Sequence, residues 1–427
     1  MTRSMVAVLA GTFTLRFSTG LTGGLLVFYL ARLHLHGGPR VDELTLAILT
    51  STFFAAELIL STPFGMLSDR WGHHRVMQIG PIFGAVAVVV TWLSTNIVVI
   101  GGTRWLEGAS TAASVPSILG FIALVTAGDE LLRGRMAARF EGATLAGLGV
   151  GIVAAGILYD GIPGVWSGLG RDAFLLNAGI YAISYLIYRY GVADPLADRP
   201  AVAGVSHSWG RYGRLLINSH VWLLAPTWIA VNAAIGLWTS QSIFQLIREP
   251  DGRFPGQVLM GGFVGSQIAL GLGVALVVFF AGLAFWGERF KRYRRTTIIL
   301  YGVGGGALSV IAAVVVNHSA GAPAIIPLVF GLAAGAGLFV LAGATPAALG
   351  LLADISEAYP ADRGAIMGLY SVFLALGQIL GSLIGGVAAI SFGIDGILGA
   401  TLALLAVAIL PISRLRPFEH VVGTAAG

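Results

Sequence analysis

Gly65-Met66-Leu67-Ser68-Asp69-Arg70-Trp71-Gly72-His73-His74-Arg75 is a short charged tether set between two long apolar runs. A turn so rich in glycine and charge belongs where a chain leaves a bilayer and re-enters it at once. The reading is a cytoplasmic turn between two membrane helices, and the rest of the sequence tests it.

The chain has 427 residues, of which 56% are hydrophobic and 11% charged, with 61 glycines. Soluble proteins carry about 25% charged residues. One or two water-soluble cores cannot hide this much apolar surface, so the chain belongs in a membrane. Its net charge of +5 does not point to nucleic acid, because the basic residues occupy short loops and form no stripe with interleaved aromatics. The absence of cysteine excludes disulfides, thiolate metal sites and thiol catalysis. The apolar run after Met1 to Ser4 reaches about Leu33, too long for a signal-peptide core, and reads as a retained first helix.

Twelve runs are long enough to span, given that about 20 helical residues cross a 30 Å hydrocarbon core. They cover roughly 5–31, 44–66, 76–95, 98–126, 136–158, 172–192, 218–246, 257–286, 296–316, 323–352, 364–390 and 394–413. Cytoplasmic loops hold excess Lys and Arg. With the N-terminus inside, only Arg32, Arg40, Arg171, Arg248 and Arg253 of the 25 basic residues fall on external loops, and Arg16 and Arg104 fall within helices. Both termini are therefore expected in the cytoplasm, in an inner or plasma membrane.

The longest polar connection runs from about Gly191 to Ile217 and divides the runs six and six. A shift of 230 residues supports the division. It places Pro116 on Pro346, Leu119-Gly120 on Leu349-Gly350 and Arg133-Gly134 on Arg363-Gly364, and in the same frame Gly147, Gly151 and Gly156 on Gly377, Gly381 and Gly386. Such a repeat fits two six-helix halves related by an axis along the membrane normal. The expected architecture is an all-α membrane protein with a six-helix half at 1–192, a cytoplasmic linker at 193–217 and a second half with a short cytoplasmic tail at 218–427.

The tether itself carries Gly65, Asp69, Arg70, Gly72 and Arg75 in the spacing G-x-x-x-D-R-x-G-x-x-R. It resembles the loop between helices 2 and 3 of the major facilitator superfamily, the twelve-helix secondary transporters, where it gates the cytoplasmic side. The resemblance implies that Asp69 faces the start of the eleventh helix near Arg363-Gly364, with Arg70 and Asp129 extending the cluster. Glu288-Arg289-Phe290-Lys291-Arg292 stands in the corresponding loop of the second half and has lost the glycine.

The only lysine, Lys291, is preceded by Phe290, so no Gly-Lys-Ser/Thr phosphate loop exists and transport has to run on a gradient. No nucleophile triad stands out. The eight histidines are scattered, and His34 and His36 lack the carboxylate neighbours a metal site needs. Neither an enzyme, a cofactor nor a metal is expected.

An ionisable residue at a membrane helix centre costs about 2.5 to 3.5 kcal/mol even on a lenient scale. Five qualify, all in the first half: Arg16, Glu57, Arg104, Glu107 and Glu141. Arg16 lies some eleven residues into its helix, ~16 Å along it and so near mid-membrane. Arg104 and Glu107 are three apart on one helix face and either neutralise each other or serve coupling. Facilitator helices 1 and 4 line the central cavity, so the resemblance puts Arg16 and this pair around one site. Glu107 is the first candidate for the coupling carboxylate, and Glu57 is the reserve. Glu141, near Arg135 and Arg139, reads as a structural ion-pair partner.

Arg16-Phe17-Ser18 with Leu25-Leu26-Val27 and Tyr29-Leu30 resembles the first helix of proton-coupled peptide transporters, but Leu15 and Thr12 replace the glutamates of that group. Gly147, Gly151, Ala155 and Gly156 form a small-residue ridge, repeated at Gly377, Gly381, Gly385 and Gly386, that permits close helix packing. The first ridge resembles the facilitator antiporter signature, with Ile152 in place of its proline. The expectation is a monomeric, proton-coupled exporter of an amphipathic or anionic organic compound, in contact with membrane lipids. A lipid or lysolipid flippase is the second reading, and a non-transporting receptor or membrane assembly factor the third.

Overall fold

The computed structural model describes residues 3–126, 130–193, 221–249, 252–357 and 363–416. They form helices almost throughout: α1 (Arg3–Ala31), α2 (Glu43–Trp71), α3 (Ile79–Leu93), α4 (Ile97–Val125), α5 (Glu130–Asp160), α6 (Ala173–Gly191), α7 (Val221–Ile247), α8 (Gly265–Gly287), α9 (Arg295–Asn317), α10 (Ile325–Leu341), α11 (Ala344–Glu357) and α12 (Arg363–Leu415). Among the described residues the sole β pairing is an isolated bridge between Ile162 and Trp166. Nine helical segments among them are long and apolar enough to cross a membrane. The chain is an all-α multi-pass membrane protein.

The helices fall on the apolar runs with three differences. The eighth begins at Gly265 rather than near 257, because Gly256, Gly261 and Gly262 take positive φ and keep the preceding stretch out of helix. The tenth run is broken into α10 and α11. The eleventh and twelfth runs are continuous in α12 except at Gly393, whose φ of 61° and ψ of −137° kink the chain between them. At the tether, α2 continues to Trp71 and stops at Gly72, where φ is 94°. A single helical turn, His73–Val76, follows. Pro63, Pro116, Pro226 and Pro411 lie inside helices, as membrane helices tolerate where neighbours re-satisfy the freed carbonyls. Asn96 caps α4, its side-chain oxygen accepting the Val98 N–H at 2.8 Å. The expected linker, apart from Ala193, lies outside the described residues.

Two compact units emerge. One comprises Met1–Asp42, Ile48–Val205 and Phe263–Gly273; the other comprises Glu43–Ala47, Ser206–Gly262 and Val274–Gly427. In the first, α1 and α5 lie backbone to backbone. A Cβ on Gly147 would strike Phe13 and Arg16, and one on Gly151 would strike Phe17 and Leu21. The ascending order of both sets shows that the helices run parallel. In the second unit, Gly377 stands in the same way against Ile229 and Asn232 of α7, and Gly381 against Ala233. Gly385 meets Leu237. Around this contact Trp228, Trp286, Phe373, Leu405 and Ile412 form an apolar core.

The repeat extends to the helix starts. Gly156 of α5 packs on Gly265 and Ala269 at the beginning of α8, while Gly386, its counterpart 230 residues on, packs on Glu43, Leu44 and Ala47 at the beginning of α2. Ions tie down both places. Asp160 pairs with Arg32 and accepts the Gly265 N–H at 2.7 Å. Glu43 pairs with Arg248, and its carbonyl accepts from Gln241 Nε2 at 3.0 Å.

Candidate functional site

The apolar spans of the first unit carry the five ionisable residues expected from sequence, and their surroundings differ. Arg104 and Glu107 form an ion pair one turn apart on α4, both buried. The Arg104 guanidinium also lies 4.9 Å from the Phe53 ring centroid on α2. Gly108 lets the Phe53 backbone approach at the same level. Tyr181 of α6 lies within electrostatic reach of both charges. Two buried atoms of the pair, Arg104 Nε and Glu107 Oε1, have no hydrogen-bond partner. The pair is thus internally neutral and wedged among α2, α4 and α6.

Arg16 is placed otherwise. It is 9% exposed, and its Nη1 donates a long 3.4 Å hydrogen bond to Thr111 Oγ1. Thr111 stands one turn from Glu107 on the same face of α4, so Arg16 and the α4 pair meet on that face. Gly147 of α5 abuts the Arg16 Cβ. The charge of Arg16 acts on Glu57 of α2, on Glu141 of α5 and on the Tyr188 phenol of α6. The charge that acts on Glu141 is thus that of Arg16 on another helix, beside the Arg135 and Arg139 that its local sequence suggests. A nearby unpaired hydroxyl, Thr144 Oγ1, is buried one turn further along α5.

The tether exposes Asp69, Arg70 and Arg75. Asp69 is 57% exposed on its side chain and lies 4.0 Å from His73 Nε2. His73 Nδ1 is 3.1 Å from Ser68 Oγ, and its ring rests where a side chain on Gly120 would collide. His74 Nε2 reaches the Tyr188 carbonyl at 3.0 Å, fastening the turn to the end of α6. A Cβ added at Gly65 would meet only Pro116, at 3.7 Å, and the Gly65 carbonyl accepts from Ser68 Oγ at 2.8 Å. Asp129 lies outside the described residues. No group of three metal-ligating side chains is present among the described residues.

Two features escape sequence reading. Asp160 caps α8 from 105 residues away, and Asn177 of α6 donates to the Ser18 carbonyl and to Thr22 Oγ1 of α1 at 3.0 and 2.8 Å. A polar residue in an apolar run was the available signal for each, but it does not name a partner.

The sequence profile of the Major Facilitator Superfamily matches residues 8–278. Among solved structures, the chain is similar to the nucleoside transporter NupG, with a TM-score of 0.71 at 13% identity over 98% of this chain and 99% of that one. It is also similar to a bacterial homologue of the human lysosomal transporter Spinster in an inward-facing, unoccupied conformation, with a TM-score of 0.66 at 13% identity over 99% and 97% of the two chains. No curated protein matches by sequence.

Proposed function

Since this chain belongs to the major facilitator superfamily, a family of membrane transporters and not of enzymes, we propose that it is a proton-coupled exporter of an amphipathic or anionic organic compound working by alternating access. Both termini lie in the cytoplasm in this reading, the membrane is the inner or plasma membrane, and 193–217 links halves 1–192 and 218–427. Arg16 and Glu57 serve substrate contact and coupling. Arg104 and Glu107 set the position of α4. Gly65, Asp69, Arg70, Gly72, Arg75 and Asp129 form the cytoplasmic gate.

The observation that carries this is Arg16, a guanidinium nine-tenths buried in an apolar span with a single long hydrogen bond. A scaffold gains nothing from a costly mid-membrane ion held so loosely. Proteoliposomes containing a pH-sensitive dye test the reading, under proton gradients of either polarity, with a panel of amphipathic and anionic organic compounds. Proton movement in exchange for a compound, abolished by Arg16→Ala, is the expected result. No flux of any kind in every arm favours the receptor or assembly-factor reading.

One further observation favours a lipid flippase as second reading. In the second unit an apolar groove of about 390 Å³ is lined by residues including Pro226, Ile229, Leu380, Ile384 and Val407, a lining that suits an acyl chain. Movement of a fluorescent lysolipid between leaflets, with no small-solute exchange, would select that reading.

A further inference from the structure

The apolar groove of the second unit lies where the internal repeat has exchanged large side chains for small ones. Gly147 stands against Phe13 and Arg16 of α1 and Gly151 against Phe17, while Gly377 stands against Ile229 and Asn232 of α7 and Gly381 against Ala233. Phe13 and Phe17 thus correspond to Ile229 and Ala233. In the first unit the two phenyl rings lie together, their centroids 6.4 Å apart. In the second unit their smaller counterparts form the floor of a groove of about 390 Å³, a volume within the range of pockets that hold small ligands.

The walls of this groove are fastened, so it does not close by collapse. Main-chain contacts at Gly377 and Gly381 hold α7 to the arm of α12 before the Gly393 kink. The Thr227 hydroxyl donates to the Ala408 carbonyl at 2.9 Å and the Trp238 indole donates to Thr401 Oγ1 at 3.0 Å, which hold α7 to the arm after it. Leu380 lines the groove from the first arm, and Leu404 and Val407 from the second. Leu380 and Val407 are exposed. The groove therefore opens on the molecular surface within apolar spans, where a bilayer offers acyl chains and no water.

A tail alone would not be selected, because every neighbouring chain is as apolar as the groove. Selection has to come from a head group. Leu404, Val407 and Arg414 fall on one stripe of the second arm, at i, i+3 and i+10, with Arg414 two turns and about 10 Å beyond Val407. Arg414 is exposed in the last turn. A helical side chain leans toward its own N-terminus, so its guanidinium leans back over the groove. The polar layer of a bilayer is about 5 to 8 Å deep on each side. A phosphate at the level of Arg414 then sets the upper methylenes beside Val407 and the rest of the chain along Leu404 and Ile229.

We infer that this groove binds one acyl chain of an anionic glycerophospholipid whose phosphate is held by Arg414. The lipid is a resident of the α7–α12 contact, taking the place that phenyl rings fill in the first unit, and it is held and not carried. One arginine near the membrane surface favours an anionic over a zwitterionic lipid by about fivefold. The inference goes beyond the transport reading, and failure of proton exchange in proteoliposomes leaves it untouched.

The chain has no cysteine, so one introduced thiol gives a single reporter. Leu376, exposed one turn from Leu380, lies beside the groove without lining it, and Ile311, exposed on α9, serves as control. Leu376→Cys and Ile311→Cys proteins are labelled with bimane and placed in phosphatidylcholine nanodiscs doped with phosphatidylglycerol or phosphatidylcholine brominated on the acyl chains. Half-maximal quenching at Leu376 is expected at a mole fraction of brominated phosphatidylglycerol about fivefold below that of brominated phosphatidylcholine, with no difference at Ile311. Arg414→Gln should bring the two lipids together. Val407→Trp, which fills the groove from its rim, should remove the preference and make both lipids quench as weakly as they do at Ile311. Equal quenching by the two lipids at Leu376, the same preference at Ile311, or a preference that survives either variant overturns the inference. Should the tryptophan variant not run as a single species in size exclusion, Arg414→Gln, at an exposed helix end, decides alone.

Discussion

Arg104 and Glu107 close on each other within a single turn of α4, both buried, while among the described residues Arg16, also buried, donates a hydrogen bond only to Thr111. The contrast separates a charge that is already spent from one that is still available. Removing one member of a buried pair strands the other and costs about 3 to 5 kcal/mol, whereas apolar replacement of both is often neutral. Arg104→Ala and Glu107→Ala should each lower the melting temperature in detergent, and Arg104→Met with Glu107→Leu should recover most of the loss. A Glu107→Gln protein that melts like the wild type but no longer couples to protons would assign Glu107 to coupling instead.

Gly151 and Gly381 should behave as twins. A methyl group on either meets the backbone of the facing helix, and overpacking of this kind costs about 1 to 3 kcal/mol. Gly151→Ala and Gly381→Ala are expected to lose comparable thermal stability. Gly179, with nothing within 4 Å of an added Cβ, supplies the control, since Ala is favoured over Gly in a helix by about 0.5 to 1 kcal/mol.

The start of α8 depends on a cap from a distant residue. Asp160 accepts the Gly265 N–H and pairs with Arg32, and loss of a helix cap costs about 0.5 to 2 kcal/mol. Asp160→Ala should speed hydrogen exchange at the first amides of α8, measured by mass spectrometry, with little change at α9. Arg32→Gln leaves the cap in place and should have a smaller effect. Equal exchange in both variants and the wild type would show that packing on Gly156 alone fixes this end.

Asp69 is the exposed charge of the tether. If it faces a helix start, as the family resemblance implies, its charge contributes about 0.3 to 1 kcal/mol, a bias of about two- to fivefold. Asp69→Asn should move spin-label distances across the cytoplasmic mouth toward the inward-open population and leave ligand binding at Arg16 unchanged. Unaltered distance distributions remove the gating role.

Apolar run length made the helices legible, because the bilayer demands a fixed span and the composition leaves little else for these residues to be. The break between α10 and α11 and the late start of α8 were not legible, since apolar and small residues continue through both places and only backbone geometry marks the difference. The ionisable residues announced themselves by cost alone. Their surroundings did not: Glu141 has Arg135 and Arg139 close by in sequence, and the charge of Arg16, on a separate helix packed at Gly147, also acts on it. Arg104 and Glu107 could be paired from spacing because both sit on one helix, where three residues make one turn. Asp160 and Gly265 could not, because no local rule joins residues on separate helices.

The glycine contacts of α1 with α5 and of α7 with α12 are made by main chain, and main chain does not drift when side chains are exchanged. Each pair therefore keeps its register for as long as a few hydrogen atoms remain where a methyl group would collide, whatever happens to the lipid-facing residues around them. That freedom lets the two copies of one plan age differently. The frame has been kept twice, while Arg16, Glu57, Arg104, Glu107 and Glu141 all stand in one copy, so the second half is open to reshaping its apolar groove without disturbing the charges that would do the work.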